Sequence, residues 1–410
     1  MRLLVKNLLT PKANPIGVDF GSDCLRLAQV RNENGQLQML AVAAVNVPEP
    51  ARADMNTRLD FFVHAMRDLL NSGKFVGRRV VLGLPAASTF IQHIRLPKMD
   101  EPAMTEVLPD EIRGKMPIDP GHAMLRHIVA GEVFVEQEPK NEVIVLATRR
   151  DFIERFLGSA HKARLDVVGM NVELKAIVDC FSRIYRRKND STTTNCIVDI
   201  GYSATRAMIT QGTQILFARS IPIGSSQFNK DVAAALKISQ QEARQIRLQS
   251  LAESPKALVP QLVGAATESA PAPGLSSEHH EAIPDTEDRR KDLRDDQPDL
   301  ADEQIDAEHA CAKSVERLVE ELTFCRRYHE ATFPSVPIQR LIFIGAEAAN
   351  RVLCQQIARE MALPAQIGDP LVRLVQGREI FAQAGLDVTQ PQPAWPVAIG
   401  LSAGAAGEVS

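Results

Sequence analysis

Two short stretches of the sequence carry residue types that bind phosphates. The stretches 19–22 (DFGS) and 199–203 (DIGYS) each follow an apolar run, so each is predicted to be a loop at the end of a buried strand. A carboxylate there must be paired, hydrated or close to a metal, because burying an unpaired charge is costly. Glycine lets the backbone bend so that the following N–H groups face an anion. The pattern favours phosphate and metal binding, although an ordinary turn uses the same residues.

The two stretches belong to units of the same design. Residues 16–45 and 196–223 each begin with a strand that ends in Asp-x-Gly, and each continues into a hairpin. An internal duplication is the simplest explanation. Two such loops at equivalent ends of duplicated sheets can face one cleft, where a phosphate chain and its metal would satisfy both acids and both sets of backbone donors.

Composition limits the class of protein. The chain has 410 residues, of which 45% are hydrophobic and 24% charged, which is typical of a globular protein of two to four compact units. A net charge of −4 gives no overall attraction to nucleic acid, so no nucleic-acid partner is expected. Six scattered cysteines without a C-x-x-C pair indicate a reducing compartment. No apolar run approaches the roughly 20 residues of a spanning helix, so no membrane span is expected.

Periodicity and turn residues predict the remaining elements in mixed order. Between the duplicated units lie strands, an amphipathic helix that ends before Gly73 and further helices, as in an α/β domain with a small inserted module. Ser239 and Glu242 match a capping box that opens a helix. Residues 254–300 are rich in Pro, Ser and mixed charge and nearly free of aromatics, so they are predicted to be a disordered insertion.

Several separated blocks resemble a known family. The blocks IGVDFGS, IVDIGYSAT and LIFIGAEA are similar in order and spacing to the phosphate 1, phosphate 2 and adenosine motifs of the actin-like ATPase superfamily. Within it, the segments VVLGLPAASTFIQHIRLPKMDEPAMTEVLPDEIRGKMPID, VVGMNVELKAIVDCF, IPIGSSQFNKDVAAAL and ALPAQIGDPL resemble the type IV pilus assembly protein PilM family. The resemblance covers nearly the whole chain except the first dozen residues and the 254–300 insertion.

The resemblance implies an α/β protein with the actin-like ATPase fold, in which two duplicated domains surround a nucleotide cleft and an α+β subdomain is inserted. Its domains would be 13–192, with the subdomain at about 87–166, and 193–390, which contains the insertion. Residues 391–410 would form a C-terminal helix that returns to the first domain.

The resemblance also implies a site for ATP and Mg²⁺. Asp19 and Asp199 would position the Mg²⁺, largely through water. Asp23 adds a negative charge where the family usually has a hydroxyl residue, and it is expected to weaken phosphate binding unless it points to solvent or the metal. A methyl group at Ala346, where a second glycine is usual, is expected to crowd the adenosine. The residues implied to bind the nucleotide are Asp19, Gly21, Ser22, Arg26, Glu173, Asp199, Gly201, Ser203, Thr205 and Gly345.

The implied function is that of an ATP-binding cytoplasmic scaffold in a type IV pilus or related secretion-type machine. The implied partner is the short N-terminal tail of a PilN-like inner-membrane protein, which would hold the chain at the inner face of the cytoplasmic membrane. No residue is given a catalytic role, ATP hydrolysis is expected to be slow or absent, and self-association is left open. Two alternatives in the same superfamily are a sugar-kinase-like phosphotransferase and an FtsA-like filament protein.

Overall fold

The computed structural model of the chain describes residues 13–72, 74–182, 192–253 and 300–404. The predicted disordered insertion therefore lies outside the described residues, apart from position 300. The strands are β1 Ile16–Phe20, β2 Cys24–Glu33, β3 Gln36–Asn46, β4 Arg79–Leu84, β5 Thr89–Pro97, β6 Ala123–Val135, β7 Glu138–Arg149, β8 Asp166–Val172, β9 Thr194–Ile200, β10 Thr205–Gln211, β11 Gln214–Ile221, β12 Arg340–Ile344 and β13 Ala365–Ile367. The helices are α1 Glu49–Ala53, α2 Met55–Ser72, α3 Glu101–Glu111, α4 Arg150–Lys162, α5 Glu173–Ser182, α6 Ser225–Leu236, α7 Gln240–Glu253, α8 Leu300–Thr332, α9 Arg351–Glu360, α10 Gly377–Gln383 and α11 Pro396–Gly404.

Two five-stranded sheets share one topology. The first has the order β3-β2-β1-β4-β8 and the second the order β11-β10-β9-β12-β13. In each, the first three strands form antiparallel hairpins, and the last two run parallel to the central strand. The predicted duplication is therefore confirmed at the level of strand order and direction.

A third sheet forms the module inserted between β4 and β8. Its order is β5-β7-β6, with antiparallel pairing throughout. Helix α3 covers one face and buries Met104 and Leu108 against Ile94 of β5 and Val143 of β7. The long strand β6 was not predicted, because its polar residues and Gly131 interrupt the apolar pattern.

The last described helix, α11, packs in the first half of the protein. The Asn14 amide donates to the Ser402 carbonyl at 2.9 Å, and the Ser402 hydroxyl donates to Pro15 at 2.7 Å. A Cβ atom on Gly400 would lie 1.8 Å from the carbonyl oxygen of Ala176 in α5. Only glycine permits this approach, so α11 and α5 are held closely side by side.

The predicted local elements are largely found. Helix α2 ends at Ser72, as the pattern before Gly73 predicts. The capping box is present, since the Ser239 backbone N–H donates to the Glu242 carboxylate at 2.8 Å and the Glu242 N–H donates to the Ser239 hydroxyl at 3.2 Å.

Candidate functional site

Strand alternation aims the two predicted acids at the same interior space. In β1, Val18 and Phe20 enter the apolar core of the first half, where the Phe20 ring lies 5.1 Å from that of Phe62. Successive side chains of a strand point to opposite faces, so Asp19 faces the other way. Val198 and Ile200 of β9 enter the core of the second half in the same manner and direct Asp199 toward the first.

Each of these acids has an arginine directly opposite it on the neighbouring strand. Asp19 is in register with Arg26, and Asp199 is in register with Arg206. In both halves the two residues are seven positions apart. The Arg26 Nη1 and Asp19 Oδ2 atoms are 3.7 Å apart, and the Arg206 guanidinium contacts the Asp199 carboxylate. The duplication thus places two acid–arginine pairs in equivalent positions.

Arg206 also joins the two halves of the protein. Its guanidinium contacts the carboxylate of Glu173, the first residue of α5, as well as that of Asp199. The side chains are little exposed, at 13% for Arg206, 6% for Glu173 and 5% for Asp199. This cross-cleft ion triad therefore lies largely out of water.

The third predicted loop, which begins at Gly345, packs against Asp199. It follows β12, has a φ of 89°, and would place a Cβ atom 2.5 Å from Asp199 Oδ1 and 2.5 Å from the carbonyl oxygen of Ile200. Both the positive φ and the close approach require glycine. The loop backbone therefore packs directly on the Asp199 carboxylate.

Burial controls the electrostatics of the cleft. Burial, with repulsion from Asp19 as the next cause, raises the pKa of Asp199 to about 7. Burial also raises the pKa of Asp19, although Arg26 opposes the shift, and it lowers the pKa of Arg206 to about 10. The charges are thus crowded and poorly hydrated, a condition common at binding sites.

A cavity of about 70 Å³ lies between the two halves. Nine of the ten residues predicted to bind nucleotide line it. Thr205 does not, because it is fully buried and its hydroxyl donates to the Ile223 carbonyl at 2.7 Å. The lining residues are Asp19, Gly21, Ser22, Asp23, Arg26, Pro85, Ala86, Ala87, Glu173, Asp199, Gly201, Tyr202, Ser203, Ala204, Arg206, Ile344, Gly345, Ala346, Pro393, Ala394, Pro396 and Val397.

The two acids predicted to position Mg²⁺ have protein partners in this structure. Asp19 and Asp199 are each paired with an arginine, and the described ranges contain no group of three or more His, Cys, Asp or Glu residues that could hold a metal ion. Asp23, predicted to repel phosphate, lies 3.6 Å from the Arg244 guanidinium of α7, so its charge is compensated. Ala346, whose methyl group is expected to crowd an adenosine, is among the residues that line the cavity.

A second and larger cavity, of about 640 Å³, lies between the inserted module and the second half. We call it the groove. Its two long sides are β5 and β11, which are outer strands of their sheets among the described residues. The groove shares Ala86, Ala87, Ser203 and Ala204 with the smaller cavity. Its lining consists of Ala86, Ala87, Thr89, Phe90, Ile91, Gln92, His93, Lys115, Met116, Pro117, Ser203, Ala204, Phe217, Ala218, Arg219, Ser220, Pro222, Phe324 and Tyr328.

A buried polar network forms one end of the groove and ties the module to the second half. Glu142 of β7 is fully buried, and its carboxylate accepts hydrogen bonds from His93 Nδ1 at 3.0 Å, Arg95 Nε at 3.0 Å and the Tyr328 hydroxyl at 2.6 Å. The other ring nitrogen of His93 lies 3.0 Å from the Ala218 carbonyl oxygen in β11. These bonds connect β5 and β7 of the module to α8 and β11 of the second half, and so they fix the position of the module.

The sequence reasoning missed Arg206, although a signal existed. Arg206 follows Asp199 at the same interval at which Arg26 follows Asp19, and the duplication made that interval meaningful. The groove and the Glu142 network had no local signal, because they combine residues from three distant parts of the chain.

Two protein-family models match the chain. The type IV pilus assembly protein PilM family model matches residues 17–259, and the cell division protein FtsA model matches residues 196–385. None of the curated proteins matches the chain. No helix of the described residues is both long and apolar enough to cross a membrane.

Solved structures give the same picture of the fold. A structure named as the PilM-PilN type IV pilus biogenesis complex aligns with a TM-score of 0.71 at 15% identity, covering 96% of this chain and 98% of the other. The ethanolamine utilization protein EutJ from Carboxydothermus hydrogenoformans aligns with a TM-score of 0.50 at 10% identity, covering 96% and 90%. The predicted actin-like fold, with two duplicated halves, is confirmed. Since its family model spans more than half of the sequence, including the module, the chain belongs to the type IV pilus assembly protein PilM family.

Proposed function

We propose that this chain is a scaffold of type IV pilus assembly that holds an extended segment of a PilN-like inner-membrane protein in the groove. Membership of the PilM family supports the process, and the similar fold of a chain solved as a PilM-PilN complex supports the partner. The sugar-kinase and FtsA-like alternatives are not favoured, since the PilM family model matches residues 17–259. The FtsA model also leaves the first 195 residues unmatched.

The observation that carries the proposal is the meeting of two outer strands at one groove. Residues 89–93 of β5 and 217–220 of β11 line it, and neither strand has a second partner among the described residues. An outer strand presents N–H and C=O groups that its own sheet leaves unpaired, and an extended peptide satisfies them by adding a strand. Ala218 of β11 is an exception, because its carbonyl oxygen already lies 3.0 Å from a ring nitrogen of His93. Main-chain hydrogen bonds would give affinity, and the apolar side chains in the groove would select the residues of the peptide.

The charged lining indicates the chemistry of the segment. Lys115 and Arg219 are the basic residues of the lining, and each is paired with a carboxylate outside it, Lys115 with Glu111 at 3.7 Å and Arg219 with Glu321 at 2.6 Å. No carboxylate is among the described residues that line the groove. The Arg219 guanidinium lies 5.0 Å from the centre of the Phe324 ring, which is 55% exposed. A segment with apolar residues and no excess of positive charge fits this surface.

A direct test is to titrate a labelled peptide of the N-terminal residues of the PilN-type protein from the same organism. Phe324→Glu is expected to weaken binding about tenfold or more, because it removes an aromatic contact and places a charge in the groove. Phe134→Glu is the matched control, because Phe134 is 72% exposed at the end of β6 and does not line the groove. Equal peptide affinity for wild type and Phe324→Glu would contradict the proposal.

The small cavity is proposed to bind ATP or ADP. The paired Asp-x-Gly loops and Gly345 support this, but a cavity of about 70 Å³ must enlarge, since sites for ligands of this size are typically at least about 300 Å³. Mg²⁺ is proposed to arrive with the nucleotide and to be held mainly by phosphate oxygens and water, with Asp19 or Asp199 beside it.

The proposed setting follows from the partner. A chain bound to the N-terminal segment of an inner-membrane protein would lie in the cytoplasm at the inner face of that membrane. The proposed domains remain 13–192, with the module at about 87–166, and 193–390, with 391–410 returning to the first.

A further inference from the structure

Arg206 lies where its side chain can reach a ligand in the small cavity as well as the neighbouring acids. It occupies the position in the second sheet that Arg26 occupies in the first, and both line the small cavity together with all three glycine loops. Arg26 has Asp19 as its carboxylate partner within the cleft, whereas Arg206 contacts two carboxylates, Asp199 and Glu173.

The guanidinium group of Arg206 can bind a phosphate group in place of its carboxylate partners. A guanidinium presents five donors in a planar fork that fits the oxygens of a carboxylate or a phosphate equally well. A phosphate group that enters the cavity therefore competes with Glu173 and Asp199 for the same donors. Arg206 also brings its positive charge to a site lined by four acids, which would otherwise repel a phosphate chain: Asp19, Asp23, Glu173 and Asp199.

We propose that Arg206 binds a phosphate group of the nucleotide and that Glu173 binds Arg206 when no nucleotide is present. We also propose that the cleft selects nucleotides with at least two phosphate groups. This inference rests on the proposed nucleotide binding. In the free protein Arg206 bridges α5 and β9 across the cleft. When a nucleotide enters, its guanidinium leaves Glu173 for phosphate oxygens, while Arg26 binds a second phosphate group from the equivalent position of the other half.

The role given to Glu173 makes a distinctive prediction. An acid that served only to hold the ligand or its metal would weaken binding when lost. An acid that competes with the ligand for Arg206 strengthens binding when it becomes an amide, because the guanidinium is released and one negative charge leaves the cleft. The sign of this single effect separates the two roles.

The experiment is calorimetric titration of ATP, ADP and AMP, with Mg²⁺ present, into wild type, Glu173→Gln, Arg206→Gln and the double variant. Arg206→Gln leaves two buried carboxylates without their partner and can fail to fold. The double variant removes one charge of each sign and keeps the comparison possible, and its melting is measured first. Arg326→Gln is the control, because Arg326 bonds Glu330 and the Met361 carbonyl in the second half, outside the cavity lining.

The expected result is that Glu173→Gln binds ATP and ADP more tightly than wild type, by about tenfold, and that the double variant binds at least about tenfold more weakly than Glu173→Gln. AMP is expected to bind every form at least about tenfold more weakly than ADP. Weaker ATP binding by Glu173→Gln, or a folded double variant with the affinity of Glu173→Gln, would overturn the role of Arg206. If wild type and Glu173→Gln bind no nucleotide at all, the proposed nucleotide binding fails and this role fails with it, whereas the peptide titration stands independently.

Discussion

Replacing Gly345 by alanine tests whether the third loop is built onto the Asp199 carboxylate. The backbone there has φ 89° and ψ 175°, a region that only glycine adopts readily. Holding alanine in such a conformation costs about 1–3 kcal/mol. The added methyl would also lie 2.5 Å from both Asp199 Oδ1 and the Ile200 carbonyl oxygen, and the latter belongs to the central strand β9.

The steric part of this cost can be separated with a matched variant. Gly385 has φ 78°, but a Cβ atom there meets nothing within 4 Å. Gly385→Ala is therefore expected to lose about 1–2 kcal/mol from the unfavourable backbone conformation alone. Gly345→Ala is expected to lose at least about 2 kcal/mol more, because backbone at a sheet centre cannot easily move aside.

Urea unfolding followed by circular dichroism gives both free energies of unfolding, provided that the slopes agree with that of wild type. The contact of Gly345 with Asp199 also predicts that Gly345→Ala lowers ATP affinity in the calorimetric titration. Equal losses of stability for Gly345→Ala and Gly385→Ala would refute the close packing of the third loop on Asp199.

Two further predictions concern the Glu142 network. Tyr328→Phe keeps the ring and removes one hydrogen bond to a buried carboxylate, so the free energy of unfolding is expected to fall by about 1.5–3 kcal/mol in urea titrations; an unchanged value would mean that the 2.6 Å bond does not form. Burial alone would raise the pKa of Glu142, but hydrogen bonds from His93, Tyr328 and Arg95 outweigh it and leave the pKa below 4.5. The stabilisation from this depressed pKa is therefore complete above the unfolded-state pKa of about 4.5 and is lost as the pH falls through the folded-state value, so stability measured against pH should fall less steeply in acid for Glu142→Gln.

How much of the molecule the sequence could predict depends on how local each signal is. The two Asp-x-Gly loops were predictable because strand, acid and glycine are adjacent, and duplication gave each loop a counterpart. The ion pairing of Asp199 by Arg206 was not predicted, although the repeated interval of seven residues between acid and arginine was a signal for it. Thr205 was assigned to the nucleotide by motif, yet its hydroxyl satisfies a buried carbonyl group instead. Periodicity and repeated motifs were enough to predict the duplication of the fold. Strand register and side-chain partners could be assigned only from the three-dimensional structure.

The lining of the groove is the part of the molecule that was hardest to predict from the sequence. It is bounded by β5, β11 and α8, and 116 residues separate β5 from β11 while 78 separate β11 from α8, so no short sequence window contains two of its sides. Its apolar residues give the same periodic signals as any half-buried strand or helix. Only the placement of the module against the second half makes them a binding surface.

Four residues line both cavities, and we call this shared part of their walls the partition: Ala86, Ala87, Ser203 and Ala204. Ala86 and Ala87 lie where the first half leads into the module, and Ser203 and Ala204 belong to the loop between β9 and β10. A ligand that displaces this partition on one side changes the volume and shape available on the other. Equilibrium binding is reciprocal, so the factor by which a nucleotide changes the affinity of the groove for its peptide must equal the factor by which the peptide changes the affinity of the cleft for the nucleotide.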